Sequence, residues 1–194
     1  MPSNEIPKMS IGNLVVSVKS GISSYYTNGG DLVVPMVNIK DLQDGNIITR
    51  SVDKVKIKDT KLLAKNILSK DDIVVSIKGQ NYKAAVAGSE HEGYAISSNL
   101  IAFTLNDRIL PEIVEAYLNS PYGQRELRAR ASGSTMPGLN TRTLLEVAVP
   151  VPPPDKQASI AGYLRLARER RKLLDREQMI LEQLKNTIIG DVME

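Results

Sequence analysis

The stretch ASGSTMPGLNTRTLLEVAVPVPPPDKQASIAGYL (residues 131–164) decides the architecture of this chain of 194 residues. A glycine- and serine-rich loop leads into a short apolar strand, which four prolines within residues 150–154 bring to an end. Because proline fixes φ and lacks an amide hydrogen, this run excludes both a helix and a central strand there. Asp155 is a suitable N-cap, and no proline follows it. The order predicts a globular head joined stiffly to a long helix.

Residues 1–153 are predicted to form an α+β head, and residues 154–194 the helix. Turn sequences such as Asn28-Gly29-Gly30 separate short β-branched runs, which indicates a small, bent mixed sheet or a barrel-like fold. The predicted strands are residues 14–18, 32–37, 52–57, 73–77, 84–88, 100–104 and 145–151. Helices are expected at residues 61–68, from Pro111 onwards, and at residues 122–131.

Apolar residues recur at every third or fourth position of the C-terminal helix, as in a coiled-coil seam. A helix over residues 155–193 would be about 58 Å long. It could fold back onto its own head or pair with a helix of another molecule. Its length and the preceding prolines favour pairing. The seam comprises Ile160, Leu164, Ala167, Leu174, Leu181, Ile188 and Val192, with polar interruptions at Arg171, Gln178 and Lys185.

The composition excludes several classes of protein. The chain has no cysteine and one histidine, so disulfides and thiolate metal sites are excluded and a zinc site is not expected. No apolar run reaches the length of a membrane span, and the N-terminus lacks the pattern of a signal peptide, so we expect a soluble, cytoplasmic protein. The net charge of +3 favours nucleic-acid binding only weakly.

The sequence lacks the usual catalytic motifs. It has no GxxxxGK[ST] phosphate loop, no GxSxG elbow and no methyltransferase signature. His91 lies in a polar turn and is expected to be a solvated loop residue rather than a base. Asp71-Asp72, a strand and Lys78 are loosely similar to a metal-dependent nuclease, but Ser76 stands where that site needs a carboxylate. We therefore expect a binding protein that is not an enzyme.

Three segments carry the residue types that contact DNA. Lysine and arginine bind phosphates, asparagine and glutamine bind base edges, and tyrosine stacks. The candidates are Lys19, Tyr25, Tyr26 and Asn28; Lys78, Gln80, Asn81, Tyr82 and Lys83; and Arg130, Ser132, Ser134, Thr135 and Arg142. Each of them, taken alone, could equally be a solvated surface residue.

A basic cluster on the long helix leaves two readings open. It is either a solvated flank or a strip that faces a polyanion or an acidic partner. Its members are Arg165, Arg168, Arg170, Arg171 and Lys172.

Four stretches, in order, resemble the DNA-specificity subunits of type I restriction–modification enzymes. Residues 14–21 are similar to that family's first strand and Lys-Ser-Gly turn, and residues 68–79 to its strand that ends in a basic residue and glycine. Residues 109–130 resemble its helix with the Asn-Ser-Pro and Gly-Gln-Arg patterns. Residues 132–154, with Asp155-Lys156-Gln157, resemble its loop, strand and start of the spacer helix.

The resemblance implies a target recognition domain that reads double-stranded DNA, and a helix that spaces two such domains. It implies no catalytic residue and no cofactor in this chain, because separate modification subunits bind S-adenosylmethionine and methylate, and a restriction subunit cuts. Those subunits are the implied partners.

Subunits of this family normally carry two recognition domains and two helices, whereas this chain has one of each. Two copies related by a twofold axis would rebuild the pair, with their helices in an antiparallel coiled coil, and would read an inverted repeat with a fixed gap. A different half-subunit as partner, a fragment of a longer chain, and a coiled-coil adaptor without DNA readout are the alternatives.

Overall fold

The computed structural model describes residues 6–26, 30–79, 81–133 and 137–193. The strands are β1 (Lys8–Ser10), β2 (Val15–Ser20), β3 (Leu32–Val37), β4 (Leu42–Gln43), β5 (Asn46–Ile47), β6 (Asp53–Ile57), β7 (Ile73–Ser76), β8 (Ala84–Val86), β9 (Ala95–Ile96), β10 (Leu100–Leu105) and β11 (Ala148–Pro150). The helices are α1 (Thr60–Asn66), α2 (Pro111–Asn119), α3 (Pro121–Arg130), α4 (Thr141–Leu145) and α5 (Pro154–Met193).

An antiparallel sheet in the order β2-β10-β7-β8 forms the centre of the head. Successive side chains of a strand point to opposite faces, so this sheet supplies two cores. Ile73, Val75 and Phe103 pack with residues of α2 and α3 such as Leu118. Val74, on the other face, packs with residues that include Leu100 and Ala102.

A second sheet, in the order β6-β3-β9, lies beside the first. β3 pairs antiparallel with β6 and parallel with β9, and a parallel bridge joins Ile22 to Ser97. Its inner face buries Ile22, Val34 and Ile57. The predicted α+β class is confirmed, with the strands distributed over several sheets.

The proline-rich segment differs from its prediction at both ends. Residues 145–151 are not one strand, because Asn140 caps α4 by accepting a hydrogen bond from the amide of Thr143 at 2.9 Å, and only β11 is extended. β11 pairs with β1, which sequence reasoning missed. The long helix begins at Pro154, so Asp155 lies in its first turn and is not its N-cap. A first-turn proline is tolerated because its missing amide hydrogen has no partner there.

Helix α5 contacts the head through its first half. Gln157 and Ala161 are buried, and from Glu169 onwards the side chains that the structure describes are almost all exposed. The head therefore does not cover the second half of the helix. No helix within the described ranges is long and apolar enough to cross a membrane.

Candidate nucleic-acid interface and spacer helix

Several loops gather at one end of the central sheet. β2 and β7 end there, and β8 and β10 begin there, because neighbouring strands are antiparallel. Backbone hydrogen bonds tie the loops together: Ile22 donates to Ile96 at 2.7 Å, and Ile77 donates to Asn99 at 2.9 Å. We call this end the loop edge; it comprises the described residues of 21–26, 77–83, 97–99 and 131–139.

The segment after α3 joins the same edge. The amide of Ser132 donates to the carbonyl of Gly138 at 3.0 Å, and the amide of Leu139 donates to the carbonyl of Ile77 at 2.9 Å. Lys78 forms a bridge with Gly138. The three segments that sequence analysis singled out for DNA contact therefore meet in space, although up to about 110 positions separate them in the chain.

Gly21 allows the loop after β2 to lie close to the backbone of the turn between β9 and β10. A Cβ atom at this position would lie 1.9 Å from the carbonyl oxygen of Ser97, which real atoms do not permit. The Lys-Ser-Gly turn is thus a packing requirement, since the backbone of residues 97–98 crosses directly over it. A side chain here would push the first loop away from the edge.

Six of the predicted contact residues are exposed on the loop edge. Tyr25 is 80% exposed and Tyr26 38%, and their rings meet edge to face with centroids 5.2 Å apart. The other four exposed residues are Lys78, Asn81, Lys83 and Ser132. Aromatic rings, ammonium groups and amides together can contact both the phosphates and the bases of DNA.

Lys19 is not presented to a ligand. Its side chain is 12% exposed and forms an ion pair with Asp72, whose side chain is fully buried. Asp72 also accepts hydrogen bonds from the hydroxyl of Thr104 at 2.6 Å and from the amide of Ser69 at 2.7 Å. This network makes Lys19 the counterion of a buried carboxylate. It also removes Asp72 from the nuclease-like pattern.

Tyr82, Arg130 and Arg142 are also placed differently from the prediction. Tyr82 is 1% exposed, so its ring cannot stack on a base. Arg130 pairs with Glu126 at 2.5 Å, one turn earlier in α3. Arg142 lies away from the loop edge, beside residues 10–13, and pairs with Glu146 at 3.2 Å. The predicted residues Asn28, Gln80, Ser134 and Thr135 lie outside the described residues.

Two side-chain amides that the prediction missed hold the loop after β7. The side chain of Gln124 accepts from the amide of Tyr82 at 3.1 Å and donates to the carbonyls of Tyr82 at 2.5 Å and Leu118 at 2.8 Å. Asn119 makes the same two-way contact with Ala84, at 2.9 Å in each direction. These bonds explain why the Asn-Ser-Pro and Gly-Gln-Arg patterns stand where they do.

A pocket of about 320 Å³ opens on the loop edge beside Arg128. Gly79, Asn81, Tyr82, Arg128, Ala131 and Pro137 line it. Within the described ranges the side chain of Arg128 has no ion pair, and its only hydrogen bond is a weak one to Asn81 at 3.5 Å. The hydroxyl of Tyr82 is buried without a partner. Burial raises the pKa of Tyr82, and the positive charge of Arg128 opposes this rise. Arg128 is therefore a better placed cation than the predicted Arg130.

His91 is buried, not solvated. It is 3% exposed; its Nδ1 accepts from the amide of Gly88 at 2.9 Å, and its Nε2 lies 3.1 Å from the carbonyl of Ile47. The two contacts select the tautomer with hydrogen on Nε2. The turn at Glu92-Gly93 suggested exposure, but the ring anchors that turn to β5. In the part of the chain that the structure describes, no three carboxylate or imidazole groups lie close enough to hold a metal ion.

The start of α5 is fastened to the head by Gln157. Its side chain accepts from the amide of Leu110 at 2.9 Å and donates to the carbonyls of Arg108 and Pro152, each at 2.8 Å. With 4% of its surface exposed, the side chain has exchanged water for these three partners. The Gln157 joint connects the head, the proline run and the helix.

Arginines of the basic cluster pair with carboxylates of the head. Arg165 contacts Glu112 at 2.8 Å, Arg168 pairs with the buried Glu115, and Arg171 lies 3.8 Å from Asp44. Burial raises the pKa of Glu115, and the charge of Arg168 opposes this rise. Arg168 is the counterion of the buried Glu115, so the solvated-flank reading does not describe it. Arg165 and Arg171 remain 60% and 63% exposed, as a solvated flank predicts, although each also lies near a carboxylate of the head.

The remainder of α5 exposes an apolar stripe. Successive residues of a helix are about 100° apart, which puts this stripe on the side opposite Gln157, Ala161 and Arg168, the side that faces the head. The α5 stripe comprises Leu166, Leu173, Leu174, Ile180, Leu181, Leu184 and Ile188, each 50–68% exposed.

The predicted seam overlaps this stripe only in part. Leu174, Leu181 and Ile188 belong to both, and Ile160 and Ala167 are exposed beside it. Leu164 is half-buried on the side that faces the head. The prediction missed Leu166, Leu173, Ile180 and Leu184. It placed the seam on the side of the helix that carries Arg171, Gln178 and Lys185, and took these three as polar interruptions. The heptad spacing of Leu166, Leu173 and Ile180 was the signal available.

Comparison with known proteins identifies the family. The model of the type I restriction modification DNA specificity domain matches residues 9–186. No curated protein is significantly similar in sequence. The structure is similar to the HsdS subunit from Thermoanaerobacter tengcongensis, with 19% identity, a TM-score of 0.63, and coverage of 92% of this chain and 42% of that chain.

Two further solved structures share the fold. A chain from the study of complex assembly and conformational transition of the type I R-M system has 19% identity and a TM-score of 0.61, covering 91% of this chain and 43% of that one. The S subunit of the type I restriction–modification system from M. genitalium has 19% identity and a TM-score of 0.55, covering 88% and 41%. The present chain thus spans about two fifths of each. It belongs to the family of type I restriction modification DNA specificity domains, the non-catalytic recognition components of these systems.

Proposed function

We propose that this member of the specificity family is one half of a DNA-specificity subunit. Its head reads one part of a two-part DNA site, and α5 holds a second head at a set distance. The observation that carries the proposal is the α5 stripe, which the head leaves uncovered. An apolar surface of this size on a helix calls for another helix to cover it.

The loop edge supports the DNA-reading half of the proposal. Tyr25, Tyr26, Lys78, Asn81, Lys83 and Ser132 are exposed on loops that the sheet holds in place. Lysines there would contact phosphates, and asparagine and tyrosine would contact bases.

The companion of α5 in this proposal is a second copy, packed antiparallel in a coiled coil. A twofold axis would then relate the two heads, and the DNA site would be an inverted repeat with a fixed gap. The 40 residues of α5 span about 60 Å, which exceeds the roughly 34 Å of one DNA turn. A different half-subunit with its own head is the alternative companion.

The proposed subunit directs other proteins and does no chemistry itself. Modification subunits, which carry S-adenosylmethionine, would dock on the paired helices and methylate the chosen site. A restriction subunit would join the same assembly. In the head, the buried groups Asp72, Glu115 and His91 are held in hydrogen bonds to other parts of the fold, which agrees with a binding function.

Solution mass tests the pairing. Analytical ultracentrifugation over a wide range of protein concentration should give twice the mass of the chain at the upper end and a reversible transition below it. A monomer at every concentration would contradict pairing with a second copy. A dimer that appears only after a second half-subunit is added would favour the alternative companion.

Gel shift at low salt tests the DNA-reading half. The intact protein should bind random duplexes at micromolar concentration, and a selection from a random pool should return inverted repeats. A dimer that binds no duplex would leave a coiled-coil adaptor as the function. In that case the loop edge would have no role in recognition.

A further inference from the structure

We infer that a row of lysines on β6 and directly after it forms a contact for the DNA phosphate backbone, next to the loop edge. Lys54, Lys56 and Lys58 make up this lysine row, which the sequence analysis did not single out. The inference rests on the proposed DNA binding and adds the surface that would supply affinity without sequence preference.

Strand geometry places Lys54 and Lys56 on one face, and the exposed Lys58 directly follows the strand. Lys54 and Lys56 are exposed, whereas the alternate residues Val55 and Ile57 turn inward to the core of the second sheet. Alternate residues on a strand are about 6.7 Å apart. A DNA backbone lying along β6 could therefore contact more than one lysine of the row with its successive phosphates.

Charge is concentrated around this row. Residues 54–65 contain five lysines and one aspartate, a net charge of +4, whereas the whole chain carries +3. The aspartate, Asp59, caps α1 by accepting from the amide of Leu62 at 2.9 Å. Within the described ranges, no carboxylate lies at ion-pair distance from the three lysines of the row. Lys40, in contrast, is neutralised by Asp53 at 2.8 Å.

The row is continuous with the loop edge. The amide of Lys58 donates to the carbonyl of Tyr26 at 3.3 Å, so the last lysine adjoins the two exposed tyrosines. Gly30 lies against the backbone of Ile57, which brings the following part of the same loop to the end of β6. DNA held at the tyrosines would extend over the lysine row.

The competing explanation is protection of an edge strand. β6 lies at the edge of its sheet, and lysines on such strands prevent pairing with other molecules. That role predicts aggregation when the lysines are removed. A phosphate contact predicts a change in the salt dependence of DNA binding, which protection against aggregation would not produce.

The test compares two triple variants of the full chain. One replaces the row (Lys54→Gln, Lys56→Gln and Lys58→Gln), and its control replaces three exposed lysines elsewhere (Lys8→Gln, Lys70→Gln and Lys156→Gln), so both variants have the same net charge. Affinity for a fluorescent mixed-sequence duplex is measured at several salt concentrations. The row variant should flatten the slope of log K against log salt by about 0.9 for each phosphate that it no longer neutralises, and the control should keep the wild-type slope.

The outcomes separate this inference from the proposed function. A wild-type chain that binds no duplex at low salt would overturn both. If the wild-type chain binds the duplex and both triple variants keep the wild-type slope of log K against log salt, the lysine row alone is overturned. Equal flattening in both variants would also overturn it, because the effect would then come from net charge. Sedimentation of the row variant shows whether its lysines also prevent aggregation.

Discussion

The head buries most of its large apolar side chains, whereas the second half of helix α5 exposes them. Phe103 and Leu118 in the head are fully buried, whereas Leu166 and Leu173 on α5 are 68% and 66% exposed. The head closes its cores with its own sheets and helices. Helix α5 leaves its stripe exposed. If the proposed pairing is right, the head is stabilised within the chain and the second half of α5 by assembly.

The largest expected effect comes from breaking the stripe. Leu174→Glu with Leu181→Glu removes four buried leucines from a paired structure, at a cost of roughly 6 kcal/mol or more. The protein should become monomeric at micromolar concentration, while the circular dichroism of the head stays native. Sedimentation velocity measures the change.

The matched control for the stripe is Gln178→Glu with Asn186→Glu, which adds the same charge on other faces of α5. This control should remain paired. If it dissociates as readily as the leucine variant, charge on the rod and not the apolar contact governs assembly.

Within the head, Lys19 is the counterion of a buried carboxylate, whereas Lys78 is exposed on the loop edge. Lys19→Met should destabilise the fold by about 3–5 kcal/mol, because it leaves Asp72 as an unpaired buried charge. Lys78→Met should leave stability unchanged and flatten the salt slope of DNA binding by about one. Urea unfolding and salt titration measure the two effects. If a folded Lys19 variant shows a flattened salt slope of DNA binding, Lys19 contacts DNA after all.

Gln124 tests whether the loop edge depends on its support. Gln124→Ala leaves the backbone groups of Tyr82 and the carbonyl of Leu118 without partners, at a cost of about 1–3 kcal/mol. DNA affinity should fall while the sedimentation coefficient stays that of the pair. Gln183→Ala, on the exposed rod, is the control. An unchanged affinity would mean that the loop holds its shape without Gln124.

Arg128 and Arg130 form a matched pair two positions apart. Arg128→Gln should weaken DNA binding and flatten the salt slope by about one, because this arginine has no carboxylate partner in the described ranges. Arg130→Gln should have little effect on binding, because Arg130 pairs with Glu126. If Arg130→Gln weakens DNA binding more than Arg128→Gln, the sequence-based prediction of Arg130 as a DNA contact is right.

The smallest effect concerns Glu115, at the joint between the two regions. Burial raises its pKa in the folded protein, so this carboxyl contributes stability below its unfolded pKa and loses that contribution as pH rises through the folded pKa. The Tm of wild type relative to Glu115→Gln should therefore fall as pH increases from about 4 to 7. A relative Tm that rises instead would show that attraction by Arg168 outweighs burial.

Local patterns predicted much of the fold. β3 was predicted with its observed bounds because a β-branched run lies between clear turns, and α2 because Pro111 marks a first turn. β9 has two residues and no pattern of its own; it is a strand only because β3 lies beside it. Pairing across the chain decides such elements.

The candidate site was predictable by segment but not by residue. The three segments predicted to contact DNA were selected by residue type, and the sheet brings most of their described residues together. The role of Lys19 depends on Asp72, 53 positions later, and that of Tyr82 on the helices that cover it. Neither partner can be inferred from neighbouring residues. Gln157 belonged to a recognised pattern, but its three buried hydrogen bonds required the structure.

The hydrogen bonds of Gln157 determine how precisely the direction of α5 is fixed relative to the head. The rod that it anchors is about 60 Å long, so a tilt of about one degree at the joint displaces the far end by about 1 Å. Tolerance of a few degrees would blur the gap between two half-sites by a full base-pair step. In the proposed pair, the three buried hydrogen bonds and the arginine contacts beside them would therefore determine how strictly the length of the gap between the two half-sites is selected.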